Sequence, residues 1–184
     1  MGIPAYFSYI VKNHPTIIKK LQTIHGAVDN LLLDCNSIIY DALFNIEFTT
    51  KTEYESAIIE YVCEKIRQYI NDVSPTSIIY IAFDGVAPVA KLEQQRTRRT
   101  RSQFLNEINA NLKNKPNNSW NTNAITPGTD FMNQLGTAIT SEFKNNNNII
   151  VNFFTPGEGE HKIFEYIRVN PNMHVGLNTI IYGL

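Results

Sequence analysis

At 184 residues and 21.0 kDa, the chain is sized for one domain. Apolar residues make up 43% and charged residues 18%, which supplies a sizeable core and excludes global disorder. A net charge of −1 excludes a uniformly basic nucleic-acid coat and an acidic tail, so any affinity for anions must come from local clustering.

The opening MGIPAYFSYIVKNHP lacks the basic start, apolar stretch and small-residue cleavage site of a signal peptide. Met1-Gly2 would suit myristoylation, but Tyr6 stands where that motif wants Ser or Thr. No apolar run approaches the roughly 18 residues that span a membrane. Leu31–Leu33 predicts the first strand. Glu53–Ile70 predicts a helix, with Ile58, Tyr61, Val62, Ile66, Tyr69 and Ile70 at helical spacing. Cys35 and Cys63 lie in apolar surroundings and match neither a disulfide framework nor a zinc pattern, which points to reduced, buried thiols in a cytosolic or nuclear protein. The four histidines show no ligand spacing.

After the turn-like Val73-Ser74-Pro75, Ile78–Phe83 predicts the second strand, and Ala90–Leu112 a long helix. Trp120 stands alone in a polar, Asn-rich stretch and is expected to anchor packing. Thr126–Asp130 is a Pro-Gly turn feeding a helix N-cap, followed by Phe131, Leu135, Ile139 and Phe143 on one stripe. Ile149–Phe154 predicts the third strand, Glu160–Ile167 a short helix and Thr179–Tyr182 the fourth strand. Strands alternating with helices predict an α/β fold: a mostly parallel central sheet, flanked by helices on both faces.

The residues after the strands carry the chemistry. Asp34 follows the first strand and Asp84 the second, while Thr155-Pro156-Gly157-Glu158-Gly159-Glu160 follows the third. A single strand-terminal Asp can merely cap the next turn. Acids after three successive strands are a different matter, because in open α/β sheets ligands bind at the C-terminal edge. Gly157 and Gly159 are expected to bend the backbone so that Glu158 and Glu160 face the same point. Converging carboxylates stay ionised only with cations among them. Hard oxygen donors select Mg²⁺ or Mn²⁺. Two such ions ~3.5–4 Å apart would clamp both oxygens of a phosphodiester displacement.

The segment KLEQQRTRRTR, residues 91–101, has five basic residues and one acid, a net +4 that leaves −5 on the other 173 residues. At helical periodicity Lys91, Gln95, Arg98 and Arg99 share an arc of about 100°. Three cations and an amide on one face suit a phosphate. The segment begins shortly after Asp84, so it starts beside the acidic crevice. Tyr40 suits either that crevice, as a base-stacking candidate, or the core, with the crevice favoured.

These motifs together carry a resemblance. MGIPAYFSYI, LLLDCNSIIY, FDGVAPVAKLEQQRTRR, AITPGTDFM, PGEGEHKIFEYIR and IIYGL resemble, in order, the N-terminal nuclease segment of the XRN family of 5′→3′ exoribonucleases. The resemblance spans essentially the whole chain. It implies a PIN/FEN-like α/β nuclease core, with residues 1–184 forming one partial domain. It implies that Asp34, Asp84, Glu158 and Glu160 are catalytic, metal-binding acids for two Mg²⁺ (or Mn²⁺) ions. It implies that Lys91, Gln95, Arg98 and Arg99 form the pocket for the 5′-monophosphate of single-stranded RNA. The expected activity is metal-dependent release of nucleoside 5′-monophosphates, and the expected location is intracellular, in nucleus or cytoplasm.

The chain also departs from the family pattern. Tyr40 stands where His is common, Val89 where a basic residue is frequent, and Thr100 where an aromatic residue is usual. The family continues past the equivalent of Tyr182-Gly183-Leu184 with an Asp-x-Asp that completes the metal site, so the chain is expected to be a fragment or a truncated product. Two other readings are open. One is a FEN-like structure-specific DNA nuclease; the other is a non-catalytic module that binds RNA 5′-phosphates.

Overall fold

The computed structural model describes residues 5–21, 26–47, 50–93, 96–97, 100–101, 104, 108 and 120–183. The chain runs α1 (Tyr6–Asn13), β1 (Asn30–Asp34), α2 (Asn36–Asn45), α3 (Lys51–Val73), β2 (Ile79–Ala82), α4 (Asp130–Phe143), β3 (Ile149–Asn152), α5 (Gly159–Val169) and β4 (Thr179–Tyr182). The described residues between 89 and 108 are helical and lie along the segment whose sequence predicts the basic helix. Among the described residues no helix is long and apolar enough to cross a membrane.

The four strands make one sheet in the order β3-β2-β1-β4, and every neighbouring pair is parallel. Parallel neighbours need crossovers, which the helices supply. Leu31, Leu33, Ile79, Ile81 and Phe83 join α2, α3 and α4 in the larger core. The opposite face, with Leu32, Tyr80 and Ala82, meets Ile163 of α5 in a much smaller one. Both faces are therefore covered, but unequally: among the described residues the core helices are α2, α3 and α4 on one face and α5 on the other. Edge residue Ile150 stays 37% exposed as a result. Exchange of sides between β3 and β4 puts a topological switch beside β1, and at such a point open α/β sheets bind ligands at the C-terminal edge.

Local chemistry fixes the element ends. Thr50 caps α3, its Oγ1 accepting from the Glu53 amide at 3.4 Å while donating to Glu53 Oε2 at 2.8 Å. Thr129 caps α4 as expected, accepting from the Met132 amide at 3.4 Å. The predicted third strand is shortened: its ladder ends at Asn152, because Phe153 turns inward onto Phe83 with ring centroids 4.6 Å apart. Helices α1 and α2 are additions to the predicted elements.

Trp120 anchors packing as expected. Its ring meets Phe131 edge-on at 4.9 Å, and its Nε1 donates to Glu55 Oε1 at 2.9 Å. Glu55 is only 9% exposed, and the same oxygen has the Lys51 ammonium 3.9 Å away, so the indole is its short-range donor and Lys51 a longer-range charge. Trp120→Phe keeps most of the packing but leaves a nearly buried carboxylate with the Lys51 ammonium alone. The expected cost is about 2 kcal/mol in urea denaturation; a loss below about 0.5 kcal/mol would show that water replaces the indole. Both cysteines are buried and free, and burial pushes the Cys63 thiol up to about 11 and the Cys35 thiol well above its ordinary value.

Candidate metal centre

The sheet brings the strand-terminal acids to one edge. Asp34 is the last residue of β1, and Asp84 lies two residues beyond β2. After β3 the chain turns back across the strand ends before starting α5. Glu158 is the N-cap of α5 and Glu160 lies in its first turn. The Gly159 amide donates to Asp84 Oδ1 at 2.8 Å, so the helix N-terminus faces that carboxylate. The other oxygen, Asp84 Oδ2, accepts from Asn36 Nδ2 at 2.8 Å, and Asn36 Oδ1 accepts from the Asp84 amide at 3.1 Å. Asn36 thereby ties the start of α2 to the end of β2.

The two glycines of the acidic loop act differently. Gly157 turns the backbone at φ 106°, a conformation that favours glycine. Gly159 is instead the first residue of α5, and its need is for space. A Cβ there would stand 2.6 Å from Asp34 Cγ and 2.9 Å from Asp34 Oδ2. A side chain at 159 would therefore have to push the Asp34 carboxylate aside.

The electrostatics record the convergence. Burial raises the Asp34 carboxyl to about 6, and the charges of Asp84, Glu160 and Glu158 add to that rise. Asp84 is raised first by burial, with the Gly159 hydrogen bond opposing. All four predicted acids therefore share one field. Lys91, assigned from sequence to the phosphate pocket, reaches the acids directly. Its ammonium hydrogen-bonds Glu158 and lies 3.8 Å from Glu160, and the Glu158 bond raises its pKa. The basic helix thus begins in contact with the acid cluster. Gln95, Arg98 and Arg99 lie outside the described residues. Tyr40, on α2, is 43% exposed and so belongs to the surface rather than the core.

Two further residues escape sequence reasoning. His161 Nδ1 lies 3.3 Å from Glu158 Oε2, and donor atoms of Glu158, Glu160 and His161 all fall within 4.8 Å of one another. Its adjacency to Glu160 was the available signal, outweighed by the absence of a second histidine at ligand spacing. Lys162 is buried beneath the acids, and burial lowers its pKa to about 8 against the opposing pull of Asp84 and Asp34. A lysine in an amphipathic helix gives no sequence sign of burial.

The donor set suits a hard divalent cation. It is dominated by carboxylate oxygens, with one imidazole at its rim, and Lys91 already demonstrates that the Glu158–Glu160 pair accepts a positive charge.

Comparison with known proteins identifies the family. The sequence profile of the XRN 5′-3′ exonuclease N-terminus matches residues 1–184. The chain is 34% identical over 239 residues to 5′-3′ exoribonuclease 2 of Kluyveromyces lactis, covering 100% of this chain and 23% of that protein. It is 36% identical over 208 residues to 5′-3′ exoribonuclease 1 of Saccharomyces cerevisiae, covering 100% of this chain and 13% of that protein. It is 30% identical over 205 residues to 5′-3′ exoribonuclease 1 of Schizosaccharomyces pombe, covering 100% of this chain and 15% of that protein. The chain thus spans less than a quarter of the length of each of these relatives. The parallel sheet flanked by helices is the PIN-like nuclease core that the resemblance implied. With the profile matched from the first residue to the last, the chain belongs to the family of XRN 5′-3′ exonuclease N-termini.

Proposed function

We propose that this chain supplies the acid site and 5′-end pocket of a 5′→3′ exoribonuclease acting on 5′-monophosphorylated single-stranded RNA. The observation that carries the reading is the meeting of two opposite charge systems. Asp34, Asp84, Glu158 and Glu160 share one field, and the basic helix enters it through Lys91.

In this reading Asp34, Asp84, Glu158 and Glu160 hold divalent ions, Mg²⁺ or Mn²⁺. Bound there, two such ions would supply a water nucleophile at neutral pH and offset charge on the leaving oxygen. The chain's own residues do the rest. Asn36 and the Gly159 amide fix the Asp84 carboxylate from two sides. Lys91, Gln95, Arg98 and Arg99 bind the terminal phosphate, which carries roughly −1.5 to −2 charge at neutral pH. A hydroxyl end offers them no charge, and a capped end offers a larger group. Tyr40 is exposed on the helix that follows Asp34, where it can stack on a base.

Arg98→Ala is the direct test. It should weaken binding of a 5′-phosphorylated RNA by tenfold or more, the worth of about one charge-assisted hydrogen bond or two. Binding of the 5′-hydroxyl RNA should change little. Three cations on a single strand should also give a slope of about −2 in log affinity against log salt. Equal losses for both RNAs would sink the pocket, and preference for a DNA flap over 5′-phosphorylated RNA would favour a structure-specific DNA nuclease.

A further inference from the structure

Lys162 has no part in the chemistry above, yet it is the most buried charged side chain among the described residues, at 6% exposure. Its ammonium has exchanged water for three backbone carbonyls. It donates to Phe83 O at 2.7 Å, to Phe153 O at 3.3 Å and to Asn152 O at 3.4 Å. An ammonium has three donors, so all three are spent on the main chain.

The identity of those carbonyls matters. Phe83 directly follows β2, Asn152 ends β3 and Phe153 follows it. The last bond of the β2–β3 ladder, from the Phe83 amide to Asn152 O, spans 3.3 Å. Lys162 therefore sits where the ladder runs out and clasps both strand ends. Asp84 is the next residue after Phe83, and the loop to Glu158 starts just after Phe153. Lys162 itself belongs to α5, whose first turn carries Glu160. One ammonium ties together the three pieces of chain that deliver Asp84, Glu158 and Glu160. Apolar packing would hold those pieces together too, but it is non-directional, whereas three hydrogen bonds fix spacing.

We infer that Lys162 is a positioning residue of the acid site: by clasping the ends of β2 and β3 it sets the spacing of Asp84 against the Glu158–Glu160 pair. The inference rests on the reading that these acids hold a divalent cation. Charge and position predict opposite signs, which makes the role testable. Acting only as a nearby positive charge, Lys162 would repel a divalent ion, and its removal would tighten binding. Acting only in stability, it would leave the affinity of the folded molecules unchanged. Acting as a clasp, its removal weakens binding.

The experiment is a Mn²⁺ titration of the 184-residue chain, read by the electron paramagnetic resonance of free Mn²⁺. The variants are Lys162→Met, Lys162→Gln and Glu158→Gln, with circular dichroism confirming that each is folded. Lys162→Met should raise the Mn²⁺ Kd at least tenfold, and Lys162→Gln, which keeps amide donors, should raise it less. Unchanged or tighter binding in Lys162→Met overturns the clasp. Should Lys162→Met fail to fold, Lys162→Gln decides: a Kd raised at least threefold supports the clasp, and an unchanged or lower one overturns it. Wild-type binding that is absent, or insensitive to Glu158→Gln, overturns the metal reading itself and the clasp with it.

Discussion

Gly85→Ala is expected to cost about 3 kcal/mol or more and to spread the acidic site. Gly85 lies one residue beyond Asp84, where its amide donates to Gly157 O at 2.8 Å. The Gly157 amide returns a bond to Val86 O at 3.0 Å. This reciprocal pair stitches the Asp84 loop to the Glu158 loop beyond the end of the sheet. The stitch is tight: a Cβ on Gly85 would fall 3.1 Å from Thr155 C and 3.2 Å from Pro156 Cα, and closer still to Thr155 O. All three are backbone atoms, so no rotamer change relieves the clash. Overpacking costs 1–3 kcal/mol in a core that can shift, and more where it cannot. Urea denaturation of the variant measures the cost, and Mn²⁺ affinity should fall with it. A loss under about 1 kcal/mol would mean that the loops separate freely and do not brace the acids.

The second large effect concerns charge. Without metal, Asp34→Asn should stabilise the chain above pH 6 by on the order of 1–3 kcal/mol, while abolishing its share of metal binding. The sign follows from linkage. Asp34 titrates at about 6 in the folded chain against an ordinary 3.8, because burial and Asp84 penalise its charged form. The native state therefore holds a proton that the unfolded chain has released. Below pH 4 the group costs nothing; as pH rises from about 4 through 6 stability is lost, and above that the penalty is constant. Asp84 is raised too and contributes in the same direction. The measurement is Tm at pH 5 and pH 7.5 for both proteins. The wild type should lose more stability than Asp34→Asn between those values, and Mn²⁺ at pH 7.5 should restore the wild type alone. Parallel curves would show that Asp34 carries no penalty.

Such a penalty could be anticipated from the sequence, though not located. The apolar runs ending in Asp34 and Asp84 announced two inner strands and their acids, because a parallel strand buried on both faces has little freedom in composition. Helix α2 was less legible: Ile38, Ile39 and Tyr40 read equally as strand, and Cys35 at its N-cap makes no side-chain cap bond. Gly159 looked like a hinge and is a point of closest approach, a distinction set by the path of α5 relative to β1 rather than by any local pattern. Lys162 could not be found, since its burial depends on carbonyls from the ends of two strands, one of them 79 positions away. The reading of Gln95, Arg98 and Arg99 lies outside the described residues and is carried by sequence alone.

The strand order also has a consequence in time. Central strand β1 is complete by Asp34, yet Asn30 pairs with Thr179, a partner 149 positions later. At a ribosomal pace of 5–20 residues per second that partner follows by roughly 7–30 s. Until then Leu31–Leu33 presents one open edge of backbone donors and acceptors to whatever other nascent chain is near. The same arrangement that gathers the acids at one edge leaves one side of the central strand unpaired until almost the whole of this chain has been made.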